Sequence, residues 1–77
     1  MNKTERRKLE GLVNSLENVK SDIEEMLDNE NEKFDNMPEG LQESERGEAM
    51  QEAIENLESA SNSLEEAIDY LNEITEG

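Results

Sequence analysis

Met50-Gln51-Glu52-Ala53-Ile54-Glu55-Asn56-Leu57-Glu58-Ser59-Ala60-Ser61-Asn62-Ser63-Leu64-Glu65-Glu66-Ala67-Ile68-Asp69-Tyr70-Leu71-Asn72-Glu73-Ile74 repeats its apolar residues every seven positions without a fault. Written as heptads, Met50, Leu57, Leu64 and Leu71 fall at a, and Ala53, Ala60, Ala67 and Ile74 at d. Ile54, Ser61 and Ile68 flank them at e, and Tyr70 at g. A period held this long predicts an α-helix with one packed seam. The alanines raise helix propensity and would let a neighbouring backbone approach closely. Ser44 is a candidate N-cap, followed by Glu45 and Glu48 in a first turn whose dipole favours acids. Gly47 in that turn reads as a local weakness. The predicted helix runs from about 44 to 75, and no Pro or Gly interrupts residues 48–76.

Upstream lies a break, Asn36-Met37-Pro38-Glu39-Gly40-Leu41. Pro38 cannot continue a helix and biases Met37 away from helical dihedrals, while Gly40 offers a positive φ at little cost. Before the break, Leu9, Leu16 and Ile23 fall at a and Leu12, Val19 and Met26 at d. The next positions are Glu30 and Lys33, so the strict period fails there, and Leu27 and Phe34 carry the stripe onto a rotated face. These residues predict a first helix over about 3–35, a turn over 36–43, and an all-α, antiparallel, coiled-coil-like two-helix hairpin forming one domain. Met26 and Met50 read as core. Phe34, Met37 and Leu41 are candidates to close the open end of the seam. Two helices bury only one seam, so help is expected from dimerisation into a four-helix bundle or from a bound partner.

Composition sets the chemistry. The 77 residues carry a formal net charge of -15, and 31% are hydrophobic. Such a balance is also that of disordered chains, so the periodicity is what argues for a fold. Neither Cys nor His is present, which removes disulfides, thiolate metal sites, the commonest nitrogen ligand and the usual acid–base group near neutral pH. Asp28-Asn29-Glu30-Asn31-Glu32 faintly resembles a calcium loop, but Lys33 stands where such a loop needs Gly. No phosphate-binding, nucleophile-elbow or zinc-protease motif occurs. Carboxylates on exposed helix faces lack the desolvation that general acid–base work requires. The expectation is a protein with no catalytic residues, cofactor or metal. No apolar run spans a bilayer, and no apolar signal core follows the basic start, so a soluble intracellular chain without membrane contact is expected.

The acids are not scattered. Positions c and f of the second helix read Glu48, Glu52, Glu55, Ser59, Asn62, Glu66, Asp69, Glu73 and Glu76, a stripe opposite the seam. Like charges three or four apart cost a few tenths of a kcal/mol each, and Arg46 is the helix's lone cation. A hairpin of roughly 50 Å with this charge approaches the linear charge density and width of duplex DNA. Its bland reading is a solvated face that keeps the chain soluble. The sharper reading is a partner-binding surface of Glu48, Glu52, Glu55, Glu66, Asp69 and Glu73, with Arg46 and Tyr70. It would dock on the basic surface of a nucleic-acid-binding protein and would not touch nucleic acid itself. The alternative is a structural or adaptor coiled coil assembling through Ile54, Ile68 and Tyr70. Lys3, Arg6, Arg7 and Lys8 are expected to pair with Asp69, Glu73 and Glu76 beside the second helix's C-terminus.

Phe34 to Met50, FDNMPEGLQESERGEAM, resembles a segment of small acidic helical-hairpin proteins of phages and mobile elements of Gram-positive bacteria. The resemblance covers under a quarter of the chain and carries no motif that names a reaction. It implies a helical hairpin, the cytoplasm of a bacterial host, and the class of inhibitors that block host nucleic-acid-binding defence proteins such as CRISPR effectors.

Overall fold

The computed structural model describes residues 1–76. It consists of helix α1 (Lys3–Asp35), a single helical turn α2 (Glu39–Gln42) and helix α3 (Glu45–Glu76). The long helices pack antiparallel into a rod of 58 × 14 × 14 Å. Asn2 starts α1 by accepting the Glu5 N–H on its side-chain oxygen at 2.8 Å, the hydrogen bond expected of an N-cap. Ser44 starts α3 as the sequence predicts. Its carbonyl accepts the Glu48 N–H at 2.9 Å, and its hydroxyl oxygen receives the Gly47 N–H at 3.4 Å.

The connection is more ordered than a plain turn. Pro38, at φ -57° and ψ 144°, redirects the chain into α2, whose first bonds return to the Pro38 carbonyl from Leu41 and Gln42. Gln42 then reaches back, its amide donating to the carbonyls of Phe34 (2.9 Å) and Met37 (3.2 Å). The Phe34 carbonyl also accepts the Met37 N–H at 3.1 Å, so Gln42 adds a second bond there and ties the connection to the end of α1. Gly40 sits inside α2 and needs no positive φ, contrary to expectation; among the described residues no glycine has one.

Gly47 is not a weakness but a requirement. It is buried, and a Cβ there would run into the Gln42 carbonyl group and lie 2.6 Å from the Leu41 carbonyl oxygen. The end of α2 rests directly on the backbone of α3 at this point, so only glycine lets the two meet.

The seam is phased differently from the sequence reading. The positions read as a are in it, but their companions come four residues later, not three. On α1 the covered stripe runs Leu9, Val13, Leu16, Lys20, Ile23, Leu27, Glu30 and Phe34; on α3 it runs Gly47, Met50, Ile54, Leu57, Ser61, Leu64, Ile68, Leu71 and Thr75. The most enclosed residues are Val13, Ile54, Ser61 and Ile68. Leu12, Val19, Met26 and Ile74, read as seam positions, are instead 51%, 46%, 56% and 45% exposed, and Ala53 is exposed, whereas Ala60 and Ala67 are half-buried at the edge of the seam. The heptads are therefore relabelled: Val13, Lys20, Leu27 and Phe34 with Ile54, Ser61 and Ile68 stand at a, and Leu9, Leu16, Ile23 and Glu30 with Met50, Leu57, Leu64 and Leu71 at d.

Volume and continuity explain the choice. Companions at four residues put Ile54 and Ile68 into the α3 seam, where companions at three would put alanines; each buried Ile contributes about 1.5–3 kcal/mol. On α1 that stripe also continues through Leu27 to Phe34, whereas the other ends at Lys33. The period does not fail at Glu30, which is half-buried on the seam. Lys20 is accommodated by laying its stem along the seam while its ammonium group reaches Glu24 at 2.6 Å.

Ser61 donates a long hydrogen bond to the Glu24 carboxylate at 3.4 Å, which marks one level of the register. Extended along both helices by equal rise, that level puts Leu16 near Ile68, Leu27 near Leu57 and Phe34 near Met50. At the tip, Phe34 and Met37 are half-buried, and Leu41, 49% exposed, lines the cleft there with Met37 and Met50.

Candidate functional site

The new phase decides which side of the rod each acid occupies. In an antiparallel pair the e positions of the two helices flank one side of the seam and the g positions flank the other. On α3 every acid stands at b, e or f, and none at c or g. Glu48, Glu52, Glu55, Glu66, Asp69 and Glu73 are all exposed, at b and f, as the sequence reading expects of an outward stripe. To them the structure adds Glu58 and Glu65 at e of α3, and Glu10, Glu17 and Glu24 at e of α1. These join the stripe into one broad acidic side made by both helices. Sequence reading missed them because the earlier phase placed them elsewhere; the e–e flank follows once a and d are set correctly.

Two surface depressions lie on or beside this side. One, near mid-rod, is lined by Glu24, Leu27, Asp28, Glu58, Ser61 and Asn62. The other brings four predicted residues together, Glu66, Asp69, Tyr70 and Glu73. Tyr70 does not flank the seam as read: it stands at c and is 70% exposed. Its ring offers an apolar anchor ringed by carboxylates, a combination suited to a basic partner with an aliphatic or aromatic contact. Glu48, Glu52 and Glu55 belong to the other half of α3, about 20 Å away by helical rise.

Arg46 is set apart from the acids. It lines a cleft at the tip with Lys33, Asn36, Met37, Pro38, Leu41 and Met50. Ile54 and Ile68, the anchors of the adaptor reading, are buried within the hairpin and present nothing outward.

The charge on this side is barely compensated. Among the described residues the ion pairs are Lys20–Glu24 and Lys33–Glu30, the latter at 3.2 Å. The hydrogen bond from Lys20, then that cation's charge, lowers the Glu24 carboxyl from its ordinary value, against a smaller opposing effect of burial. Lys20 is raised in turn, first by the bond to Glu24, with Glu65 and Asp69 adding attraction across the seam. Lys3, Arg6, Arg7 and Lys8 do not pair with Asp69, Glu73 or Glu76. Extending the Glu24–Ser61 level puts Leu9 near Thr75, so Lys3, Arg6 and Arg7 lie past Glu76, and Lys8, at c, lies off the flank that holds the α3 acids.

No group of His, Cys, Asp or Glu among the described residues is arranged to hold a metal ion. No helix among them is long and apolar enough to cross a membrane. Comparison with protein-family models, with curated proteins and with solved structures yields no match to this chain.

Proposed function

We propose that the chain is an acidic binding module whose carboxylate side occupies a basic surface on a nucleic-acid-binding protein. One observation carries the reading: the acids of α3 are confined to positions b, e and f, and the e-position acids of α1 lie on the same flank of the seam. Charge needed only for solubility has no reason to avoid part of the surface, and mixed signs serve that end well. Here the α3 acids leave c and g empty, and the e positions of both helices accept like-charge repulsion across the seam. A single-signed side on a stiff rod steers a cationic partner and releases the counterions bound to it. Glu66, Asp69 and Glu73 around Tyr70 form the anchor, with Glu48, Glu52 and Glu55 extending the contact. In the setting implied by the resemblance of residues 34–50, such a module would inhibit its host target by excluding nucleic acid. The working unit in this reading is a pair of hairpins, because a single seam encloses so few apolar side chains.

The test is capture from bacterial lysate on immobilised chain, with the captured proteins then challenged by duplex DNA, by RNA and by salt. The expected result is capture of basic nucleic-acid-binding proteins that nucleic acid and high salt both release. Reversing Glu66, Asp69 and Glu73 to Lys should weaken that capture at least about tenfold while circular dichroism stays helical. Equal capture by the reversed chain, or capture indifferent to salt and nucleic acid, rejects the reading.

A further inference from the structure

The side of the rod opposite the acids has a different character. Along α1 the g positions hold Leu12, Val19 and Met26; along α3 they hold Ala53, Ala60, Ala67 and Ile74. Because g flanks g in an antiparallel pair, these two rows lie on one face. The leucine, valine, methionine and isoleucine on it are each about half exposed, together forming the largest apolar display on the rod. Around it, the c positions of α3 read Ala49, Asn56, Ser63 and Tyr70, and Asp22 is the one acid at c or g of α1 beyond its first turn.

We infer that this face binds a second copy of the same chain, with α1 of one hairpin lying on α3 of the other and both tips at the same end of a four-helix bundle. This deepens the two-hairpin reading above and does not depend on the basic partner. Three observations select the occupant. The first is charge: copies at -15 each repel, and this is the side on which they can meet with their acids pointing apart. The second is shape. One row is large and the other mostly alanine, so the face is complementary to itself when turned about the long axis: large residues meet small ones in a two-fold pairing. That turn preserves level, placing Val19 against the partner's Ala67 and Met26 against the partner's Ala60. Turning about the cross axis would instead stack large on large and alanine on alanine. The third is area. A stripe of about 30 Å across two helices gives roughly 600 Å² per copy, near the lower end for stable pairs.

The chain has no cysteine, so single introduced thiols report the pairing cleanly. Val19→Cys and Ala67→Cys chains are prepared separately, checked for helicity, mixed and oxidised, while the unsubstituted chain is weighed by sedimentation equilibrium. A dimer mass is expected, with the mixed disulfide exceeding either like pair by about tenfold, since only facing helices bring Cβ atoms within bonding range. A predominant Val19→Cys like pair would overturn the α1-on-α3 arrangement. A dimer mass with no disulfide of either kind would overturn the face and leave the two-hairpin reading intact. A monomer mass at every concentration would overturn both.

Discussion

Two glycines in similar helical settings are expected to respond oppositely to the same substitution. Gly11 lies in the exposed interior of α1, and a Cβ there would meet nothing within 4 Å. Replacing it with Ala removes backbone freedom from the unfolded chain and should stabilise the fold by about 0.5–1 kcal/mol. At Gly47 the same methyl collides with carbonyl groups of Leu41 and Gln42, which are backbone and cannot swing aside. Gly47→Ala should therefore destabilise by about 1–3 kcal/mol, the range of overpacked interiors. Parallel urea titrations of the two variants check the signs; a stabilised Gly47→Ala would show that α2 does not rest on α3. Nothing local in the sequence separates these glycines. Both interrupt helical stretches, and only the return of the chain over Gly47 gives it a task.

At the scale of the helices, the polar residues on the seam decide alignment. Lys20, Glu30 and Ser61 interrupt what would otherwise be apolar rows, and the link from Lys20 through Glu24 to Ser61 ties α1 to α3 at one level. Polar groups at such positions commonly specify register at some cost in stability. The Glu24 carboxyl is lowered in the fold, so its contribution is present above the unfolded carboxylate value and is lost as pH falls through the lowered one. Thermal melts of Glu24→Gln should lie below those of the parent at about pH 7 and coincide with them at about pH 2, where both side chains are neutral. A gap that persists in acid would assign the effect to packing. The same polar residues explain how much of the fold was legible. Helix boundaries, the Ser44 cap and the break at Pro38 were readable from local signals. The phase of the seam was not, because Lys20 and Ser61 make the true companion rows look less apolar than the rows of Leu12 and Ala53. Packing volume across two helices, which no single heptad displays, outweighs that appearance. The acidic side was half legible for the same reason: residues of α3 point outward in either phase, whereas the contribution of α1 depends on which phase is right.

For the whole molecule, the two proposed associations, self-pairing and docking on a basic partner, are expected to respond oppositely to salt. Pairing through the g face brings together two chains at -15 each, so repulsion opposes it while apolar contact drives it. Raising ionic strength from about 0.01 M to about 1 M shortens the screening length from about 30 Å to about 3 Å. Across a rod 58 Å long and 14 Å wide, that change removes most of the repulsion between copies and leaves the apolar term in place. The dimer fraction in sedimentation equilibrium should accordingly rise with salt, and melting temperature should rise with both salt and protein concentration. Binding of the acidic side to a basic partner runs the other way, since the same screening removes its driving force. Measured on one preparation, the two should cross, with hairpins dissociating from the partner as they associate with each other. A dimer that weakens with salt would instead be held by ion pairs, and the cations at the ends of the rod, not the rows along its side, would then be the contact.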